Sequence, residues 1–78
     1  MVEYTGAQMQ HAQLQGCDLK GANLAEADLE GARLTDAKVQ GEELMGTNLK
    51  GADLLDAEGL TADQLDEAEI DEKTIKPL

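Results

Sequence analysis

The sequence predicts a solenoid, one chain coiled around a single axis. Three observations carry that reading. An apolar residue recurs at every fifth position: Met9, Leu14, Leu19, Leu24, Leu29, Leu34, Val39, Leu44, Leu49 and Leu54. Two residues before each stands a small residue, nearly always Ala: Ala7, Ala12, Cys17, Ala22, Ala27, Ala32, Ala37 and Ala52, with Glu42 and Thr47 as exceptions. A period of five suits neither regular element. On an α-helix it turns each Leu by about 140° from the last, so no apolar stripe forms. On a flat strand it throws successive Leu onto opposite faces. One side is buried only if the chain bends once per unit, with the small and Leu positions pointing in and the other three pointing out.

The units Ala22-Asn23-Leu24-Ala25-Glu26, Ala27-Asp28-Leu29-Glu30-Gly31 and Ala52-Asp53-Leu54-Leu55-Asp56 resemble the pentapeptide repeat family, whose pattern is A(D/N)LXX. Cys17-Asp18-Leu19-Lys20-Gly21 differs by one small-for-small exchange. Ten units in register cover residues 7–56. The resemblance implies an all-β solenoid: a right-handed quadrilateral β-helix with four pentamers, or about 20 residues, per coil, hence about two and a half coils. It also implies a protein that is not an enzyme. The best characterised members mimic DNA and inhibit type II topoisomerases.

The chain itself favours twenty residues per coil slightly. With residues n and n+20 on adjacent rungs about 4.8 Å apart, Arg33 lies over Asp53, Lys38 between Asp18 and Glu58, and Lys50 over Glu30. Cross-strand pairs of this kind help to fix register. The same spacing stacks Asp36 on Asp56.

Residues 1–6 read as a lead-in, with Met1, Val2 and Tyr4 available to cover the first rung. Residues 7–59 are the repeat region. Six of the eight Gly occupy the last slot of a pentamer, where a corner favours positive φ. Glu42 breaks the pattern at an inward slot. A buried, unpaired carboxylate is costly, so a bulge is expected over 41–47 that lets Glu42 reach solvent or the cap. Rule-breaking positions cluster at functional sites, which makes Glu42 the anomalous inward position to follow.

The repeat stops at Gly59, where the next inward Leu would fall. Residues 60–78 read as a C-terminal cap and tail. Thr61 and Gln64 form a capping box, and Leu60 and Leu65 stand at the positions of a hydrophobic staple. A short α-helix is expected over about residues 62–68, with Ala62, Leu65 and Ala68, then Ile70, facing the end of the Leu column. An extended tail anchored by Ile70, Ile75 and Leu78 would follow. The need is physical, because an open β-solenoid end exposes unpaired backbone and apolar side chains. The N-terminal end carries no such lid. Either the chain associates through that rim, as a weak homodimer burying Met9, Leu14, Leu19 and Leu24, or further chain precedes it.

Net charge is −11 over 78 residues. Residues 1–57 hold ten acids against four bases, and residues 58–78 hold seven against two. Such a balance disfavours nucleic acid, which wants a basic footprint, and anionic membranes. It permits a basic protein surface as partner. No basic stretch precedes an apolar run at the N-terminus, and no apolar run exceeds two residues, so the expected setting is cytoplasmic.

No catalytic constellation, cofactor loop or metal site is expected. Cys17 is alone and sits in an inward small slot, where it acts as a small hydrophobe. His11 lies outward, so a Cys–His pair is not expected. Two ligands do not make a structural zinc site. The acids from Asp63 to Glu72 lack the Gly and spacing of a calcium loop. The sequence thus points to a non-catalytic scaffold or protein-interaction module with an unidentified protein partner. The alternative is an acidic DNA mimic acting on a type II topoisomerase, which the small length of solenoid opposes.

Overall fold

The structure is a computed structural model and describes residues 3–41 and 43–76. It is a right-handed, four-sided β-helix. Each side wall contributes one paired residue per coil, the D/N slot of the pentamer, in parallel register with the residue twenty further on. One wall carries Glu3, Asn23 and Glu43, and the next Gln8, Asp28, Asn48 and Glu69. The third carries Gln13, Arg33, Asp53 and Ile75, and the fourth Asp18, Lys38 and Glu58.

Hydrogen bonding explains the unit. Each Leu-slot N–H donates to the D/N-slot carbonyl one coil on, as Met9 does to Asp28 at 2.7 Å. The D/N-slot N–H donates back to the small-slot carbonyl, as Asp28 does to Ala7 at 2.8 Å. Within a corner the small-slot N–H closes on the preceding Leu-slot carbonyl, as Ala12 does on Met9 at 3.1 Å. The third residue of each turn therefore needs positive φ, the arrangement of a type II turn. Gly supplies it at most corners; His11, Glu26, Asp36 and Asp56 adopt φ 61° in its place.

The Asp or Asn before each Leu has a local task. Its side-chain oxygen accepts the N–H two residues on, which opens the turn. Asp18, Asn23, Asp28, Asn48 and Asp53 all do this, at 3.0–3.1 Å. This is an Asx turn built into every such unit.

The core is a ladder of Leu and Ala. Leu24, Leu29, Leu34, Val39, Leu44, Leu49 and Leu54 are buried, with Ala22, Ala27, Ala32, Ala37 and Ala52 between them. Leu19 is also buried, whereas Met9, Leu14 and Cys17 pack on the core half-covered at the N-terminal rim.

The ladder extends further than ten pentamers predict. Glu3 pairs with Asn23. Tyr4 takes the Leu slot, donates its N–H to the Asn23 carbonyl at 2.7 Å and packs on the core. Two walls then gain a fourth rung beyond the cap helix. Met1 and Val2 lie outside the described residues.

Glu42 also lies outside the described residues. The bulge expected over 41–47 is not found in the residues that flank it. Glu43 keeps the twenty-residue register with Asn23, its N–H reaches the Ala22 carbonyl at 3.0 Å, and Leu44 is buried. Thr47 fits the inward slot because its hydroxyl donates to the Leu24 carbonyl at 2.6 Å. Thr47→Ala should therefore destabilise by about 1 kcal/mol, although it restores the repeat pattern. Urea titration checks this, and a gain in stability would mark Thr47 as the misfit that its sequence suggests.

The cap helix α1 runs Ala62–Glu67. Thr61 is its N-cap and the capping box is complete: the Gln64 N–H donates to Thr61 Oγ1 at 3.2 Å and the Thr61 N–H to Gln64 Oε1 at 2.9 Å. Leu60, Leu65, Ala68 and Ile70 pack on the core. Ala62 does not; it is exposed, because the first turn of so short a helix points away from the column.

Helix α1 stands where the wall of Glu3, Asn23 and Glu43 would place its fourth rung. The chain then rejoins the ladder with slipped register, Glu69 opposite Asn48 and Ile75 opposite Asp53. The expected anchor Ile75 is 47% exposed, and the buried residue is Thr74 at 9%. Ile75 occupies an outward D/N slot, which puts Thr74 in the inward small slot. The Thr74 hydroxyl donates to the Leu49 carbonyl at 2.9 Å, the same device that seats Thr47. Leu78 lies outside the described residues.

Candidate functional site

Outward side chains form four short columns. The fourth wall alternates Asp18, Lys38, Glu58, and Arg33 stands above Asp53 on the third, as the twenty-residue register requires. The predicted stacks of Arg33 and Lys38 are thus neighbours in the ladder, whereas Lys50 and Glu30 are not a bridged pair. Among the described residues, however, the ion pair within 4 Å is a different one, Lys50 Nζ to Glu69 Oε1 at 3.7 Å, with both side chains about half exposed. A flexible surface pair of this kind adds little stability.

The second wall is tied together by amides instead. Gln10 Nε2 donates to Asp28 Oδ2 at 2.9 Å, and Asn48 Nδ2 donates to Asp28 Oδ1 at 3.2 Å and to Glu30 Oε1 at 3.4 Å.

Asp71 is the acid whose surroundings change its chemistry. Partial burial pushes its carboxyl up. Hydrogen bonds from the Gly51 and Lys73 N–H groups outweigh that and hold it below its ordinary value of 3.8. A lowered folded value means that the charged form stabilises the fold at higher pH and that this support disappears as pH falls below about 4. The stability advantage of the native protein over Asp71→Asn should therefore be full at pH 6 and shrink towards pH 3. Denaturant titrations of both proteins across that range check it, and a constant difference would show that the charge is irrelevant.

The residues with chemical potential remain apart in kind. Cys17 faces inward and packs on the core with a free thiol. His11 is exposed at a corner, its imidazole lying over Gly31 of the next coil. Among the described residues no three His, Cys, Asp or Glu side chains gather as metal ligands, and no cavity is present. No described helix is long and apolar enough to cross a membrane. What the surface does offer is apolar. Met45, Leu55 and Ile75 are 64%, 39% and 47% exposed. Ile75 ends the third wall, where the Leu54 N–H donates to its carbonyl at 2.8 Å, and Leu55 follows at the adjoining corner. Sequence reasoning missed this pair. It took Ile75 for a core anchor, and Leu55 sits in a slot where the pattern allows any residue.

The model of pentapeptide repeats matches residues 5–41 and 27–58, with eight copies. No curated protein matches the chain. Among solved structures, the crystal structure of the pentapeptide repeat protein Rfr23 from the cyanobacterium Cyanothece 51142 is similar, with a TM-score of 0.73 and 28% sequence identity. The match covers 95% of this chain and 53% of that one, so the chain spans about half the length of its solved relative. Repeat pattern, ladder and likeness agree: the chain belongs to the pentapeptide repeat family.

Proposed function

We propose that the protein is a non-catalytic scaffold whose side walls bind another protein. The observation that carries this reading is two exposed apolar side chains, Ile75 in the wall that holds Arg33 and Asp53, and Leu55 at the corner where that wall ends. Apolar side chains rimmed by charge are the usual makings of a protein contact. A rigid ladder holds them in place without further ordering cost. The net charge of −11 favours a basic partner surface and speeds encounter with it.

A photo-cross-linking residue placed at position 55, and separately at exposed positions 38 and 43 on other walls, tests the proposal in cells. One discrete adduct from position 55, weakened by Ile75→Glu, is the expected result. Adducts of equal yield from all three positions, or none from any, would overturn it.

The charge also supports a second reading, an acidic DNA mimic that inhibits a type II topoisomerase. The longest dimension of the molecule is 28 Å, about eight base-pair steps at ~3.4 Å, which is short for such a mimic. Inhibition of gyrase supercoiling by the purified protein at micromolar concentration would favour this reading over the first.

A further inference from the structure

We propose that the N-terminal end of the solenoid is a docking surface for a second copy of this chain, joined head to head. The inference extends the scaffold reading, because it makes the scaffold two-ended.

The backbone geometry comes first. In the second coil, Asp28, Arg33 and Lys38 each send their N–H towards the N-terminal end, to Ala7, Ala12 and Cys17 at 2.8–2.9 Å. Their carbonyls point the same way and receive the N–H groups of Met9, Leu14 and Leu19 at 2.7–2.8 Å. Gln8, Gln13 and Asp18 hold the same slots one coil earlier. Both polar groups of each therefore point out of the open end, and neither has a partner among the described residues. A residue with N–H and carbonyl on one edge is what an antiparallel hydrogen-bonded pair requires. A copy turned about a two-fold axis perpendicular to the solenoid presents its own first coil in that antiparallel sense. The edge is thus complementary to itself, as a two-fold interface demands.

The opposite end cannot serve as the partner edge. There α1 interrupts one wall, and the rungs at Glu69 and Ile75 are out of the twenty-residue register on two more, so that end presents no continuous four-walled edge. Head-to-tail stacking into filaments is blocked, and head-to-head pairing is left.

Charge selects the same end. Residues 3–22 carry two acids, Glu3 and Asp18, against one base, Lys20, so they account for only −1 of the net −11. Their outward slots hold Gln8, Gln10, Gln13 and Gln15. A head-to-head pair therefore joins the least charged coils and sends the acidic caps to the two far ends. It also covers Tyr4, Met9 and Leu14, which are half-buried at the rim. The end face of one coil is small, so the dimer is weak.

Sedimentation equilibrium from micromolar to millimolar concentration tests the proposal. The native chain should show a monomer–dimer equilibrium. The double substitution Gln8→Glu/Gln13→Glu adds charge at exposed edge positions and should raise the dissociation constant about tenfold or more. Gln13→Pro removes an edge N–H that no internal bond uses and should weaken the dimer without changing charge. Gln40→Glu, one coil away, should leave the equilibrium unchanged. Circular dichroism confirms that each variant is folded. A strict monomer at millimolar concentration would overturn the proposal, as would a dimer indifferent to both edge variants. Loss of the dimer with the position-55 adduct retained refutes the end-to-end pairing alone; the reverse outcome refutes only the wall-binding reading.

Discussion

Leu34→Ala should destabilise the protein by about 2–5 kcal/mol. Leu34 is 2% exposed and stands in the middle of a column, with Leu14 one coil before it and Leu54 one coil after. The stacked walls are fixed by backbone hydrogen bonds on both sides, so they cannot collapse into the space that the side chain leaves. A domain of this size has about 5–15 kcal/mol in total, so the loss is a large share. Arg33→Ala, one residue away on the outside of the same wall, should cost within about 0.5 kcal/mol. Leu14→Ala should fall between them, because Leu14 is half-buried at the open end. Denaturant titrations of the three variants check the order. Equal losses for Leu34 and Arg33 would contradict the inward and outward assignment.

Gly59→Ala is the second large effect, at about 2–4 kcal/mol. Gly59 has φ 87°, and a Cβ there would lie 2.6 Å from Gln40 Cβ and 2.8 Å from Gln40 Cα. The chain passes against the previous coil so closely at this point that no side chain fits. It does so because Glu58 is still paired to Lys38, and the backbone must leave the fourth wall at once to start the cap. Gly41→Ala is the matched control. Its φ is 73°, but the nearest atom to the added Cβ is the Gly21 nitrogen at 4.0 Å, so it should lose only about 1 kcal/mol for the left-handed backbone. The difference between the two variants in a thermal or urea melt measures the close approach. Matching losses would mean that the contact at Gln40 relaxes freely.

The break at Gly59 was visible in the sequence as a missing Leu, but its cause was not. From the chain alone Gly59 reads as the end of the repeat. In the fold the regular register ends there too, and the glycine is required by contact with a residue nineteen positions earlier. No local pattern carries that information.

Several features were legible because they depend on neighbours in sequence. The Leu and Ala column, the glycine corners and the capping box at Thr61 and Gln64 follow from spacing and from local backbone chemistry. The Asx turns of Asp18, Asn23, Asp28, Asn48 and Asp53 belong to the same class, although only the bond pattern shows why Asp or Asn precedes Leu. The twenty-residue register came from the family resemblance, supported by weak charge matching. Arg33 and Lys38 proved to be neighbours of their acids without closing into ion pairs, since exposed side chains gain too little to be held.

Other features were settled by the tertiary structure. Tyr4 gives no repeat signal, yet it fills a Leu slot because the Asn23 carbonyl is waiting for its N–H. The residues after α1 rejoin the ladder with one and then two extra residues per coil. Periodicity cannot reveal that slip, because the helix interrupts the count. The slip turns Ile75 outward and Thr74 inward, against hydrophobicity, and the Leu49 carbonyl, whose second lone pair is left beside its bond from the Ala52 N–H, makes a buried hydroxyl acceptable there. Thr47 is accepted for the same reason. The sequence by itself determined that the chain must bend every five residues and which repeat positions face in. Where the coil starts, how it is closed and which apolar residues remain on its surface were decided by backbone groups brought together from adjacent coils, and those depend on the third dimension.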